Sequence, residues 1–117
     1  THASIVTMAQ FTGTTDHPAW WYLEMGGENP YADRERFDRY APISHITQWK
    51  TPTLIIHGER DYRCPIGEAL NLFEALQYHS VPSEMMIFPD ENHWILKPRN
   101  AVAWYEGVFD FLARRMA

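Results

Sequence analysis

Residues 53–65 of this chain read TLIIHGERDYRCP, and this stretch carries the clearest structural pattern in the sequence. Its first part, 53–56, is an uninterrupted run of apolar and β-branched residues that stops at His57-Gly58. Such a run is typical of a strand buried on both faces, as strands of parallel sheets are. Pro65 then suits the first turn of a helix, and an amphipathic stripe follows it. The apolar positions of that stripe are 66, 69, 70, 73 and 76.

The same pattern of strand and helix recurs further along the chain. Residues 85–88, Met-Met-Ile-Phe, predict a second buried strand, and Pro98 opens a last helix. The apolar stripe of this helix consists of Val102, Tyr105, Val108, Phe109 and Leu112. Strand, helix, strand and helix in this order predict the α/β class, with a right-handed crossover and parallel strands flanked by helices.

The first half of the chain is less regular. Residues 4–9 predict a short strand, so we expect three parallel strands in all. Residues 10–52 form a connection far longer than the usual ~4–6 residues, which indicates a functional or packed segment. Within this connection, 19–25 and 34–40 predict short helices, the second of which ends before Pro42.

Composition narrows the possible functions. The chain has 117 residues, 45% of them hydrophobic, which fits one globular domain or a piece of one. A net charge of −5 without a basic tract argues against binding to nucleic acid. No apolar run reaches the ~18 residues that a membrane helix needs. Cys64 is the single cysteine, so an internal disulfide is excluded. We expect no metal and no cofactor, because no Gly-rich phosphate loop is present and four histidines lack ligand spacing: His2, His17, His45 and His79.

Two loops that follow the predicted strands hold the residues suited to catalysis. Asp61 follows the first strand and His93 follows the second, and the carboxyl ends of parallel strands meet at one edge of a sheet. An Asp that accepts a hydrogen bond from a His ring fixes the imidazole tautomer, as in a Ser-His-Asp triad. As residue types alone, the two could be unrelated loop residues. The spacing His-Gly, two residues, Asp, three residues, Pro, and a His 28 residues later favours the triad interpretation. Asp90-Glu91, just before His93, is expected to be a solvated loop.

Three stretches resemble the prolyl oligopeptidase family of serine peptidases. They are APISHI at 41–46, TPTLIIHGERDYRCP at 51–65 and FPDENHW at 88–94. The likeness extends over essentially the whole chain, including GTTD at 13–16, and is closest to the acylaminoacyl peptidases and related dipeptidyl peptidases of this family. It implies that residues 1–117 are the C-terminal segment of an α/β-hydrolase peptidase domain, with Asp61 as the triad acid and His93 as the base.

The resemblance also implies residues that bind substrate. Arg63 matches an arginine that contacts a substrate carbonyl or steadies the acidic loop, although a surface salt bridge would also explain it. Cys64 matches a position that lines the pocket beside the scissile bond, whereas a role as nucleophile is disfavoured, because the family uses a serine. Trp20, Trp21 and Tyr22 match aromatic residues near that pocket, with core packing as the alternative. Trp94 departs from the glycine that many relatives have after the histidine.

The nucleophile of the family is expected outside this segment. It belongs to a Gly-x-Ser-x-Gly elbow, and none of the serines here lies in that context: Ser4, Ser44, Ser80 and Ser83. The oxyanion-hole donors and the N-terminal propeller of the family are likewise expected elsewhere. We therefore expect a peptide substrate, the remainder of the catalytic domain as the partner that supplies the serine, and no activity from this chain alone.

Two further functions fit the same residues. An esterase of the same fold would share the Asp and His geometry. A truncated relative that lost its nucleophile could instead be a non-catalytic interaction module. In a lone copy of the peptidase segment, the unpaired edge of the sheet is expected to pair with the other half of the domain or with another copy.

Overall fold

The computed structural model describes residues 1–116 and confirms the predicted α/β order. The chain begins with three short helices, α1 (Met8–Thr14), α2 (Pro18–Glu24) and α3 (Arg34–Arg39), and a 3₁₀ helix, Pro42–Gln48. The regular part follows, as β1 (Thr53–Gly58), α4 (Ile66–Tyr78), β2 (Ser83–Phe88) and α5 (Pro98–Arg115). Within the described part, no helix is both long and apolar enough to cross a membrane.

The sheet has helices on both faces. β1 and β2 pair in parallel, in a register that runs from Thr53 opposite Ser83 to Gly58 opposite Phe88. Successive side chains of a strand point to opposite faces. Ile55 therefore packs with α4, in a cluster of Val6, Ile55, Ala69, Leu72, Leu76 and Val81. On the other face, Leu54 and Ile56 pack with Phe88 and with Phe111 of α5.

The prediction of a strand at 4–9 is wrong. In residues 1–116, the sheet has two strands, and a single parallel bridge joins His2 to Ile56. Ala3 has a φ of 50°, which turns the backbone away from the sheet. The backbone N–H groups of Val6 and Thr7 then donate to the carboxylate of Glu68 at 2.8 and 2.7 Å, instead of to a strand. Because Glu68 is only 1% exposed, this contact fixes the segment before α1 against α4.

The predicted apolar faces are only partly correct. Ile87 is 41% exposed, so β2 is less buried than expected and only its last residue, Phe88, is fully buried. On α5, four residues of the predicted stripe are exposed and the helix contacts the sheet through a neighbouring stripe of Trp104, Val108 and Phe111. On α4, Leu72 is buried and Leu70 is exposed. Each helix has apolar residues on more than one face, so the pattern alone does not identify the face that packs.

The helices predicted at 19–25 and 34–40 are confirmed, although α2 lies one residue earlier and α3 ends one residue earlier than predicted. The side chain of Asp33 caps α3 by accepting the backbone N–H of Arg36. Phe37 of α3 is fully buried and clusters with Ala9 and Met25, which ties α3 to α1. The long connection is thus a small packed helical layer.

Removal of the Glu68 carboxylate should destabilise the chain strongly. In Glu68→Ala, two backbone N–H groups lose their acceptor in a buried setting, so we expect the free energy of unfolding to fall by about 2–4 kcal/mol. Urea denaturation followed by tryptophan fluorescence measures this change. Glu74→Ala, at an exposed position of the same helix, is the control and should stay within about 0.5 kcal/mol. Equal effects of the two substitutions would contradict this role of Glu68.

Candidate active site

The loops that follow β1 and β2 lie against each other. The parallel register places Gly58 beside Phe88, so both loops leave the sheet at the same edge. The backbone N–H of Glu59 donates to the carbonyl of Phe88 (3.0 Å), and that of Arg60 donates to the carbonyl of Glu91 (2.9 Å). These hydrogen bonds join the loop that carries Asp61 to the loop that carries His93.

This close approach requires a glycine at the end of β1. A Cβ atom at Gly58 would overlap the carbonyl oxygen of Asn92 and would lie 2.8 Å from that of Glu91. Any side chain at this position would therefore push the two loops apart.

The buried carboxylate of Asp61 is the centre of the site. Asp61 is 2% exposed, and its Oδ1 accepts the backbone N–H groups of Arg63 (2.9 Å) and Cys64 (2.8 Å). Its Oδ2 lies 2.9 Å from Nδ1 of His93. Because the carboxylate is the acceptor, Nδ1 of His93 carries the hydrogen and Nε2 keeps its lone pair. The His93 side chain is 32% exposed, so the imidazole is oriented by Asp61 and remains accessible to solvent.

A second imidazole supports the acidic loop. His57 is fully buried, and its Nε2 lies 2.6 Å from the carbonyl oxygen of Cys64 and 3.7 Å from Oδ2 of Asp61. A carbonyl oxygen can only accept a hydrogen bond, so Nε2 of His57 donates to Cys64. This hydrogen bond joins the end of β1 to the loop residue Cys64 and stabilises the turn that contains Asp61. Residue-by-residue reading of the sequence missed this role, although His57 belongs to the motif that identified Asp61.

Glu91 holds the other loop and is not the solvated residue that the sequence predicts. It is 4% exposed, and its carboxylate accepts the backbone N–H of Lys97 (2.9 Å) and the side-chain amide of Asn100 (2.8 Å). Burial alone would raise the pKa of Glu91, but these hydrogen bonds outweigh it and hold the pKa below its usual value. The loop with His93 is thereby fastened to the start of α5. Asp90, in contrast, is exposed.

Arg63 forms an ion pair at the surface. Its Nε donates to Oδ1 of Asp16 at 2.6 Å, and both side chains are nearly half exposed. The hydrogen bond from Arg63 lowers the pKa of Asp16. Thr15 also donates its hydroxyl to the carbonyl of Arg63 (2.7 Å), so the segment after α1 is attached to the acidic loop.

Cys64 is buried beside the carboxylate of Asp61. It is 4% exposed, and burial, aided by the charge of Asp61, raises the pKa of its thiol to about 12. The thiol stays protonated near neutral pH, which is unfavourable for a nucleophile.

An open cavity lies in front of the Asp61–His93 pair. It has a volume of about 560 Å³, and Trp21, Arg63, Cys64, His93 and Trp94 contribute to its lining. A neighbouring cavity of about 290 Å³ is lined by His17, Trp20, Trp21 and Arg63. Of the predicted substrate-binding residues, Tyr22 alone lines neither of these two cavities.

This architecture defines the class of the protein, and comparisons with known proteins agree. A parallel sheet with helices on both faces, carrying an Asp–His pair on adjacent strand ends, belongs to the α/β-hydrolase class. The acylaminoacyl peptidase of Pyrococcus horikoshii superimposes with a TM-score of 0.90 over 98% of this chain, at 24% identity, and the chain covers 19% of it. A puromycin-hydrolyzing peptidase of Mycobacterium tuberculosis superimposes with a TM-score of 0.86 over 97% of this chain, at 22% identity. The chain covers 17% of the length of that peptidase.

Sequence comparison gives the family. The chain belongs to the prolyl oligopeptidase family, which matches residues 1–117. The dipeptidyl-peptidase 5 of Porphyromonas endodontalis is 41% identical in an alignment that covers 97% of this chain. The chain spans 17% of the length of that relative.

Substitution of Gly58 should disrupt the site. In Gly58→Ala, the new Cβ meets backbone carbonyls that cannot rotate away, so we expect loss of the His93–Asp61 contact and a fall of about 2 kcal/mol or more in the free energy of unfolding. The His93 ring signals in NMR spectra and urea denaturation report the two effects.

Gly67→Ala is the matched control. The nearest atom to its Cβ is Nε2 of Gln10 at 4.0 Å, and Gly67 lies in helix α4. We expect this variant to keep the site and to gain up to ~1 kcal/mol of stability, because alanine favours the helix over glycine. A Gly58→Ala chain as stable as Gly67→Ala would contradict the steric argument.

Proposed function

We propose that this chain supplies the acid and the base of a serine peptidase that cleaves peptides through an acyl-enzyme. The observation that carries the proposal is the 2.9 Å contact between Nδ1 of His93 and Oδ2 of the buried Asp61. Membership of the prolyl oligopeptidase family supports the same activity.

The proposed chemistry follows from the orientation of the imidazole. Nε2 of His93 takes the proton of a serine hydroxyl as the oxygen attacks the peptide carbonyl, and then returns it to the leaving amine. In the second step, His93 activates a water molecule that hydrolyses the acyl-enzyme. Asp61 stabilises the imidazolium that forms in each step and keeps Nδ1 hydrogen-bonded.

The nucleophile is proposed to come from the remainder of the catalytic domain. Of the serines in this chain, Ser4 contacts Thr1, Ser44 donates to a carbonyl of α3 and Ser83 contacts Gln77. In residues 1–116, none of these hydroxyls is hydrogen-bonded to His93. An acid and a base without a nucleophile cannot form an acyl-enzyme, so the chain alone is proposed to be inactive.

A peptide substrate is supported by the cavity in front of His93. Arg63 offers a guanidinium fork suited to a backbone carbonyl, and its ion pair with Asp16 holds this fork beside the cavity. Trp21 and Trp94 add aromatic surface that suits an apolar side chain of the substrate. Cys64 contributes to the same lining, and Trp20 extends it into the neighbouring cavity.

The test uses the complete protein that contains this segment. We expect His93→Gln and Asp61→Asn to lower kcat for a dipeptide p-nitroanilide by roughly 10³–10⁴-fold, because each removes one function of the triad. His45→Gln, at an exposed position in the 3₁₀ helix, is the control and should leave kcat unchanged. The isolated 117-residue chain should show no turnover and no labelling by a fluorophosphonate probe in an intact-mass spectrum.

Each contrary outcome would correct a different part of the proposal. Full activity of His93→Gln would remove His93 from the mechanism. Faster hydrolysis of a short-chain ester than of any peptide would identify an esterase. Absence of probe labelling from the complete protein would favour a non-catalytic interaction module.

We also propose that the isolated chain self-associates through the free edge of β2. In residues 1–116, β2 pairs only with β1, and Ile87 on this strand is 41% exposed. An unpaired strand edge with apolar side chains is a template for pairing with another copy.

Sedimentation velocity measures this association. We expect species larger than 13.7 kDa for the native chain, and a shift toward monomer in Ile87→Lys, because a lysine on an edge strand opposes pairing. Leu23→Lys, which places the same charge on an exposed residue of α2, should not change the distribution. A native chain that remains monomeric at high concentration would overturn the proposal.

A further inference from the structure

The fold brings three different kinds of metal ligand together at the candidate active site. One potential ligand atom from each of Asp61, Cys64 and His93 lies within 4.8 Å of those of the other two. We propose that these three side chains form a site for a thiophilic divalent cation such as Zn²⁺. The inference stands on this cluster and does not require that the chain take part in peptide hydrolysis.

The spacing of the three residues fits a tetrahedral ion after a small adjustment. Zinc binds thiolate sulfur at ~2.3 Å and imidazole nitrogen or carboxylate oxygen at ~2.0 Å, which gives ligand-to-ligand distances of roughly 3.3–3.8 Å. Atoms at most 4.8 Å apart must therefore approach by no more than about 1.5 Å. Rotation of the half-buried His93 ring can supply much of this movement.

The hydrogen bonds of Asp61 indicate which oxygen would coordinate. Oδ1 already accepts two backbone N–H groups, from Arg63 and Cys64, whereas Oδ2 has the single partner Nδ1 of His93. A cation between Oδ2 and Nδ1 would widen their separation only from 2.9 Å to roughly 3.3 Å. The bound ion would thus replace the hydrogen bond between Asp61 and His93 and leave the acidic loop in place.

A cation can reach this position from solvent. Cys64 and His93 both line the open cavity of about 560 Å³, so an ion that enters this cavity lies next to two of the three residues. The same cavity leaves room for a water molecule as the fourth ligand, as in zinc sites with three protein ligands.

The charges of the site also suit a divalent ion. Coordination requires a thiolate, and a bound cation deprotonates its thiol ligand, so the Sγ–H proton of Cys64 passes to solvent as the sulfur–metal bond forms. The thiolate and the Asp61 carboxylate together then balance the two positive charges of the ion. Sulfur and nitrogen ligands select Zn²⁺ or Cd²⁺ over Mg²⁺ or Ca²⁺.

Cadmium provides a direct test, because Cys64 is the only cysteine of the chain. Titration of the native chain with Cd²⁺ alone should produce the ultraviolet sulfur-to-cadmium charge-transfer band, which should saturate at one equivalent and be reversed by Zn²⁺ alone. The His93 ring signals in NMR spectra should shift up to the same equivalence point. These two measurements use the native chain and do not depend on the folding of any variant.

Variants then distinguish a three-residue site from a lone thiol. Cys64→Ser should abolish the band, and His93→Gln should weaken Cd²⁺ binding by at least about tenfold, the smallest loss expected for a missing ligand. His45→Gln, an exposed histidine away from the cluster, should bind Cd²⁺ as the native chain does. A native chain without the band, His93 signals that do not respond, or unchanged affinity in a folded His93→Gln chain would each overturn the proposal.

Discussion

The hydrogen bonds of one buried carboxylate organise the candidate site. Asp61 accepts two backbone N–H groups through Oδ1 and faces His93 through Oδ2, so the same side chain shapes its own loop and orients the base. A carboxylate that is 2% exposed needs such partners, because burial without them would be strongly unfavourable. The contact with His93 depends on the parallel pairing of β1 and β2 and on Gly58, which lets the two loops touch.

Buried carboxylates accept backbone N–H groups at two other irregular segments of this acidic chain. Glu68 accepts the backbone N–H groups that precede α1, and Glu91 accepts those that precede α5. In each case, a buried carboxylate supplies the acceptors that a strand or helix would otherwise provide. These hydrogen bonds hold segments without regular structure in place, which is what a site built on loops requires.

The sequence predicted the second half of the chain better than the first for a physical reason. β1, α4, β2 and α5 follow from local periodicity, and the short loops after the two strands must meet once the strands are parallel. The segment 4–9 resembles a strand, but its backbone bonds to Glu68, about 60 residues later, which no local pattern reveals. The buried face of α5 was mispredicted because the choice depends on the sheet it packs against.

The Asp61–His93 pair is assembled within this chain, whereas the proposed nucleophile lies outside it. Both residues follow strands of a single strand–helix–strand unit, so the hydrogen bond between them forms from contacts inside this chain alone. Nδ1 of the imidazole faces Asp61, and 32% of the His93 side chain remains exposed to an approaching group. Orientation of the imidazole is thus a local property, whereas the proposed reaction depends on the group that approaches Nε2. In the proposed reaction, a serine hydroxyl would deliver its proton to the lone pair at Nε2. In the proposed metal site, a thiophilic cation would instead compete for Nδ1 and for the carboxylate of Asp61. The hydrogen bond between Asp61 and His93 that the proposed catalysis uses is therefore the same contact that the proposed cation would replace.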